Sequence, residues 1–201
     1  MALRVMPKIL YGPEHAYGNP LTGSGTEQSV MSIKRDDLAK FHRTWIKPNN
    51  ATLVVVGATT MNEIKPKLEK LFKDWRSGDV PKKSITKVDQ QKKPTVFLID
   101  KPAAAQSIII SGHVTLPQAN PDEIAIETMN NVLGGMFTAR INMNLREDKH
   151  WSYGAQTVFF GAKGQRPFLA LAPVQTDKTK ESMVEVMKEL KQVILDKPVT
   201  K

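Results

Sequence analysis

The order in which apolar periodicity changes along this chain limits its fold more than any single motif does. Between Ser32 and Pro48 the spacing is helical: Leu38, Phe41 and Trp45 fall on one face, with Ser32 the expected N-cap and Pro48 the stop. The run Ala51–Gly57, ATLVVVG, is continuous and rich in β-branched residues, which suits a strand covered on both faces. Thr60 and Glu63 then have capping-box spacing before a second amphipathic helix through Ile64, Leu68, Leu71, Phe72 and Trp75. Pro66 places the regular part of that helix from about residue 65, because proline is tolerated only in a first turn.

Further on, the period switches to strands at Thr95–Asp100 and Gln106–Val114. Asn120, Pro121 and Glu123 provide an N-cap, an N1 proline and a capping partner for a helix carrying Ala125, Met129, Val132 and Leu133, which Gly134 and Gly135 end. Phe137, Ile141 and Leu145 recur every four residues and predict another helix to about Lys149. Two strands, YGAQTVFF and RPFLALAPV, joined by GAKGQ, make a hairpin, and Met183, Val186, Met187, Leu190 and Val193 mark a last helix. No strand follows that helix, so the ending reads as cut.

This order excludes the regular βαβα alternation of a doubly wound parallel sheet and predicts an α+β fold, with helices on one face of largely antiparallel sheets. The Gly-, Pro- and Asn-dense stretch Tyr11–Ser29 reads as a loop. Between Arg76 and Lys101 there are seven basic and three acidic residues and, up to Lys93, no helical or strand period. The boundaries expected are therefore 1–76 for a first domain, 77–94 for a basic linker and 95–201 for a second domain.

Composition removes several classes of function. With no cysteine among 201 residues, disulfides, thiolate catalysis and cysteine metal sites are excluded. No apolar run approaches the ~20 residues that span a bilayer, and the first ten residues lack the apolar core and cleavage site of a secretory signal. A net charge of +9 invites a nucleic-acid reading. The basic stretch has no aromatic interleaving for base stacking, so no specific nucleic-acid partner is expected.

Metal chemistry fares no better. The four histidines are His15, His42, His113 and His150, and none forms an HExxH or HxxEH pair. Tyr11-Gly12-Pro13-Glu14-His15 has the Glu-His end of HxxEH, but tyrosine stands where the first ligand belongs and Gly-Pro forbids the helix that would align two imidazoles. Phosphate loops, dinucleotide fingerprints and nucleophile elbows are also missing. There remains Arg146, near the end of the predicted 137–149 helix, with Tyr153 seven residues beyond it at the start of the next strand. A guanidinium and a phenol brought together there can both donate to a peptide carbonyl or a developing oxyanion. The same pair also suits a helix-terminal arginine satisfying local carbonyls beside a half-buried tyrosine.

The stretch LGGMFTARINMNLREDKHWSYG, with Thr138-Ala139-Arg140-Ile141, LRED at Leu145–Asp148 and Tyr153-Gly154, resembles the pitrilysin/insulinase (inverzincin) zinc peptidases. HAYG followed by LTGSGTEQSV, and DDLAKFHRTWIKPNNATLVVVGATT, are similar to that family's HPYG, GTEESI and PxNxxLVVVG segments, so the resemblance runs over nearly all of Gly12–Ile194. It implies paired α+β domains that close like a clamshell on a peptide, with zinc held by HxxEH and a later glutamate, both upstream of the matching region. The chain is then the end of one family domain and most of the next. It has no catalytic residue or metal ligand of its own and is inactive alone. Zinc, and the zinc metalloendopeptidase activity, belong to the parent protein or to a partner subunit in a homo- or heterodimer.

The family's substrate-contacting Arg and Tyr fall on Arg146 and Tyr153. The resemblance implies that this portion binds and positions peptide, and it points to an exported or periplasmic setting. The alternative is a non-catalytic structural relative with no peptidase role. Two positions depart from the family pattern: His150 stands where glycine is common, which suits histidine only if the turn there is one it tolerates, and Ala139 replaces a common serine.

Overall fold

The computed structural model describes residues 2–199, which divide into two compact units. One is Gly25–Ser84; the other joins the N-terminal stretch through Ser24 to everything from Ile85 onward.

The smaller unit holds α2 (Glu27–Ser32), α3 (Arg35–Trp45) and α4 (Met61–Phe72). Thr26 caps α2 by accepting from Ser29 N–H at 3.1 Å. Ser32 therefore ends a helix instead of starting one, and α3 begins after Lys34, whose N–H donates to Asp37 at 2.9 Å. The expected box at α4 is present, with Thr60 N–H donating to Glu63 at 3.0 Å. That box fixes the first turn so firmly that α4 begins at Met61 and carries Pro66 in its interior, four residues earlier than the proline argument predicted.

Ala51–Gly57, predicted as a strand, forms none and has no strand partner among the described residues, and Val54 and Val56 are 77% and 92% exposed. A strand needs a neighbour to accept its ladder bonds, and no strand lies within this unit. No residue of Gly25–Ser84 is buried, so the unit presents its apolar helix faces and its β-branched run to the outside.

The larger unit is built on a three-stranded antiparallel sheet in the order β1 (Gln106–Thr115), β3 (Arg166–Gln175), β2 (Gln156–Phe159). The hairpin expected from GAKGQ is the β2–β3 pair, in register at Phe159 opposite Phe168. Ile109, Phe168, Ala170, Ala172 and Val174 point to one face and pack with Leu133, Ile141, Leu145 and Val186 in the core. Val186 comes from α7 (Thr179–Gln192), the predicted closing helix. Burying a side chain of this size contributes about 1.5–3 kcal/mol. The fold is thus α+β with antiparallel pairing, as the order of periods required.

Three expectations change in this unit. Thr95–Asp100 forms no strand and pairs with none among the described residues, as is the case for Ala51–Gly57. A helix the sequence reading missed, α1 (Ala2–Tyr11), is anchored by the Tyr11 hydroxyl donating to the Gln165 carbonyl at 3.0 Å. The helix predicted across Phe137–Lys149 is only a short α6 (Arg140–Asn142) running into a π turn at Met143–Asp148. Another π turn, Asn131–Gly135, follows α5 (Glu123–Asn130). Met136 and Ala139 are extended after the Gly134–Gly135 break, so Phe137 leaves the helix and is 66% exposed instead of buried with Ile141 and Leu145.

Candidate functional site

The sheet face opposite the core is only partly covered. Val114 and Leu169 are buried, and α1 packs on β1, but Ile108, Ile110, Leu171 and Pro173 form the floor of an open cleft of about 1960 Å³. Its walls are α1, the unpaired Thr95–Asp100 segment, the loop Gly134–Phe137 and the loop Tyr153–Gln156, and it also takes in Ile109, Met183 and Val186 from the core side, so it runs round the sheet and is not confined to one face. An apolar floor bordered by a segment with no ladder partners among the described residues can take an extended chain.

Two of those walls are held by one side chain. Asn142, 3% exposed, donates to the Phe137 carbonyl at 2.6 Å and accepts from Ala155 N–H at 3.0 Å. Sequence reasoning passed over Asn142; the available signal was a pair of asparagines, Asn142 and Asn144, between the apolar Ile141 and Leu145. Asn144 donates to Glu185 at 2.8 Å and to Glu189 at 2.9 Å, tying the π turn to α7. The Asn144 bond holds the Glu185 carboxyl below its ordinary range against the opposing effect of burial. Glu189 also pairs with Arg140 at 3.5 Å.

Tyr153 lines the cleft, is 91% exposed, and its hydroxyl has no hydrogen-bond partner among the described residues. It lies in the loop before β2, not in a strand as expected. Arg146 is not part of the cleft lining. Its guanidinium lies over the Phe137 ring at 4.4 Å, and Nη1 sits 3.5 Å from Glu147. Phe137, which does line the cleft, is therefore the link between the two positions the sequence singled out. Backbone bonds fix the path from Arg146 to Tyr153: Lys149 N–H donates to the Asn144 carbonyl at 3.0 Å and Trp151 N–H to the Leu145 carbonyl at 2.9 Å.

The histidines do not fit a zinc site. His15 accepts from Tyr17 N–H at 3.0 Å through Nδ1 and donates to the Thr86 carbonyl at 2.9 Å through Nε2, which leaves no lone pair for a metal. His113 packs its ring 5.5 Å from Phe168, and burial lowers its pKa, so it stays neutral. His42 lies exposed on α3 of the smaller unit. Among the described residues no three His, Asp or Glu side chains gather to hold an ion.

Comparison with known proteins brings one family forward. The model of the peptidase M16 inactive domain matches residues 32–201. The uncharacterized zinc protease YmxG of Bacillus subtilis (strain 168) is 27% identical over 149 residues, which is 74% of this chain and 34% of that protein. A crystal structure of a peptidase M16 inactive domain from Pseudomonas fluorescens superposes with a TM-score of 0.87 at 21% identity, over 99% of this chain and 47% of that one. A protease from Helicobacter pylori gives 0.72 at 18% identity, over 88% and 43%. The periplasmic protease PqqL from Escherichia coli gives 0.59 at 15% identity, over 87% and 19%. The chain therefore spans between 19% and 47% of the length of these proteins.

Proposed function

The chain belongs to the peptidase M16 inactive domain family, and on that premise we propose that it binds extended peptide along the cleft of its larger unit and positions it for a zinc-carrying half located elsewhere. The observation that carries the reading is Tyr153, an exposed phenol with a free hydroxyl at the rim of an apolar cleft floored by an open sheet face. An extended peptide laid there aligns its backbone with the unpaired Thr95–Asp100 segment, and Tyr153 donates to a peptide carbonyl. Arg146 supports it from beneath Phe137: its buried Nη1 has no hydrogen-bond partner and only the long ion pair to Glu147, which a peptide carbonyl would replace once that stack opens.

Zinc and hydrolysis belong to the partner half, in the same longer protein or in a second subunit. The smaller unit, with no buried residue, is the end part of a first family domain whose remaining strands cover Ala51–Val56. An exported location is proposed with this reading.

The test has two levels. With the chain alone, fluorescence anisotropy of a labelled peptide of alternating valine and threonine should report saturable binding, weakened roughly fivefold by Tyr153→Phe. In the complete assembly, Arg146→Ala and Tyr153→Phe should each lower turnover by about 10²-fold with little change in Tm. The stacking of Arg146 on Phe137, outside the cleft lining, favours the alternative of a purely structural relative. Unchanged turnover in both variants would establish that alternative.

A further inference from the structure

His150 occupies a backbone conformation that favours glycine, with φ at +56°. Histidine is among the few side chains with some tolerance for that region, yet a residue held there costs energy that the surrounding structure must offset. The offset is visible. The His150 ring Nδ1 lies 3.1 Å from the Arg146 carbonyl, and since a carbonyl can only accept, Nδ1 carries the proton and donates. The His150 carbonyl accepts from Gln175 Nε2 at 3.1 Å, which ties the residue to the end of β3. Gln175 N–H in turn donates to the Trp151 carbonyl at 2.9 Å.

Four residues thus bracket the corner between the π turn and the Tyr153 loop, and the imidazole reaches back to the Arg146 carbonyl. We propose that His150 is a positioning residue. It caps the π turn through the Arg146 carbonyl, setting the direction in which the Arg146 side chain leaves the turn and the point from which the chain departs toward Tyr153. Glycine at this position would relax the backbone but supply no donor, so the turn would close without a cap. The proposal deepens the peptide-binding reading and rests on it for its functional consequence.

The experiment compares the full chain with His150→Gly and His150→Asn. Asparagine tolerates the left-handed region and carries an amide that can donate to the same carbonyl. Amide hydrogen exchange at Lys149 and Trp151, whose N–H groups close the turn, reads the cap directly. Anisotropy with the valine–threonine peptide reads its consequence. Exchange at both amides should quicken about fivefold in His150→Gly and return toward wild type in His150→Asn, with peptide affinity following the same order. Unchanged exchange in His150→Gly overturns the cap. Altered exchange with unchanged affinity overturns the positioning role. A wild-type chain that binds no peptide while the exchange rates keep their ranking sinks the peptide reading and leaves the cap standing.

Discussion

Gly134 offers a test in which the sign of the result decides. It lies buried in the π turn Asn131–Gly135, and a Cβ added to it would sit 2.5 Å from Thr157 Oγ1 and 2.6 Å from Thr157 N. Both contacts are far inside van der Waals range, and Thr157 cannot step aside. Its hydroxyl donates to Asn130 at 2.6 Å, and its backbone is paired in β2 opposite Ala170. Gly134→Ala must therefore push the turn off the sheet by most of an ångström, an overpacking change that costs about 1–3 kcal/mol. Against this, alanine reduces the freedom of the unfolded chain and contributes about 0.4–1 kcal/mol of stability where it fits without strain. The expected net is a loss of about 1–2 kcal/mol, read as a lower urea midpoint at constant slope by circular dichroism. Adding Thr157→Ala should restore part of the loss, because two of the three close contacts go while the backbone nitrogen stays. A Gly134→Ala protein that is as stable as wild type, or more so, would refute the close packing of turn on sheet.

Acid should weaken the larger unit through Glu123, whose pKa is lowered below its ordinary 4.5, first by its hydrogen bond to Arg166. A carboxyl depressed by folding stabilises the native state above the unfolded value; that stability fades as pH falls below about 4.5 and is gone once the folded value is passed. Urea midpoints measured from pH 6 down to pH 3 check this, and Glu123→Gln should flatten that part of the curve. Metal analysis of the dialysed chain should find no stoichiometric zinc, given that both nitrogens of His15 are engaged by backbone groups; one tightly held zinc per chain would count against that assignment.

The hairpin and the closing helix were readable in advance because each is specified locally. GAKGQ supplies the turn, strand period sets Phe159 opposite Phe168, and α7 repeats its apolar positions at helical spacing. The continuous apolar runs at Ala51–Gly57 and Thr95–Asp100 satisfied the same composition rule and still formed no ladder, since pairing depends on a neighbour that local sequence does not specify. The π turns were hidden for a different reason. Ile141 and Leu145 keep their spacing of four on either side of Met143, so the bond from Lys149 back to Asn144 leaves no mark on the pattern. Of the candidate site, Tyr153 was legible through the family resemblance. The displacement of Arg146 onto Phe137 was not, because it follows from the Gly134–Gly135 break turning Phe137 outward.

The larger unit begins and ends on opposite sides of the smaller one in the chain, and this bears on when it can fold. The Tyr11 hydroxyl finds its acceptor 154 residues later at Gln165, and Tyr17 receives the Gly164 N–H across 147 residues. At synthesis rates of about 5–20 residues per second, α1 waits roughly 8–30 s on the ribosome before its partner emerges. During that interval an amphipathic helix and two unpaired β-branched segments are exposed together, the kind of surface that draws wrong partners in a crowded cell. Contacts this distant in sequence also slow the search for the native state. Production of this chain should then respond more to slower translation or added chaperone than to changes that strengthen its helices.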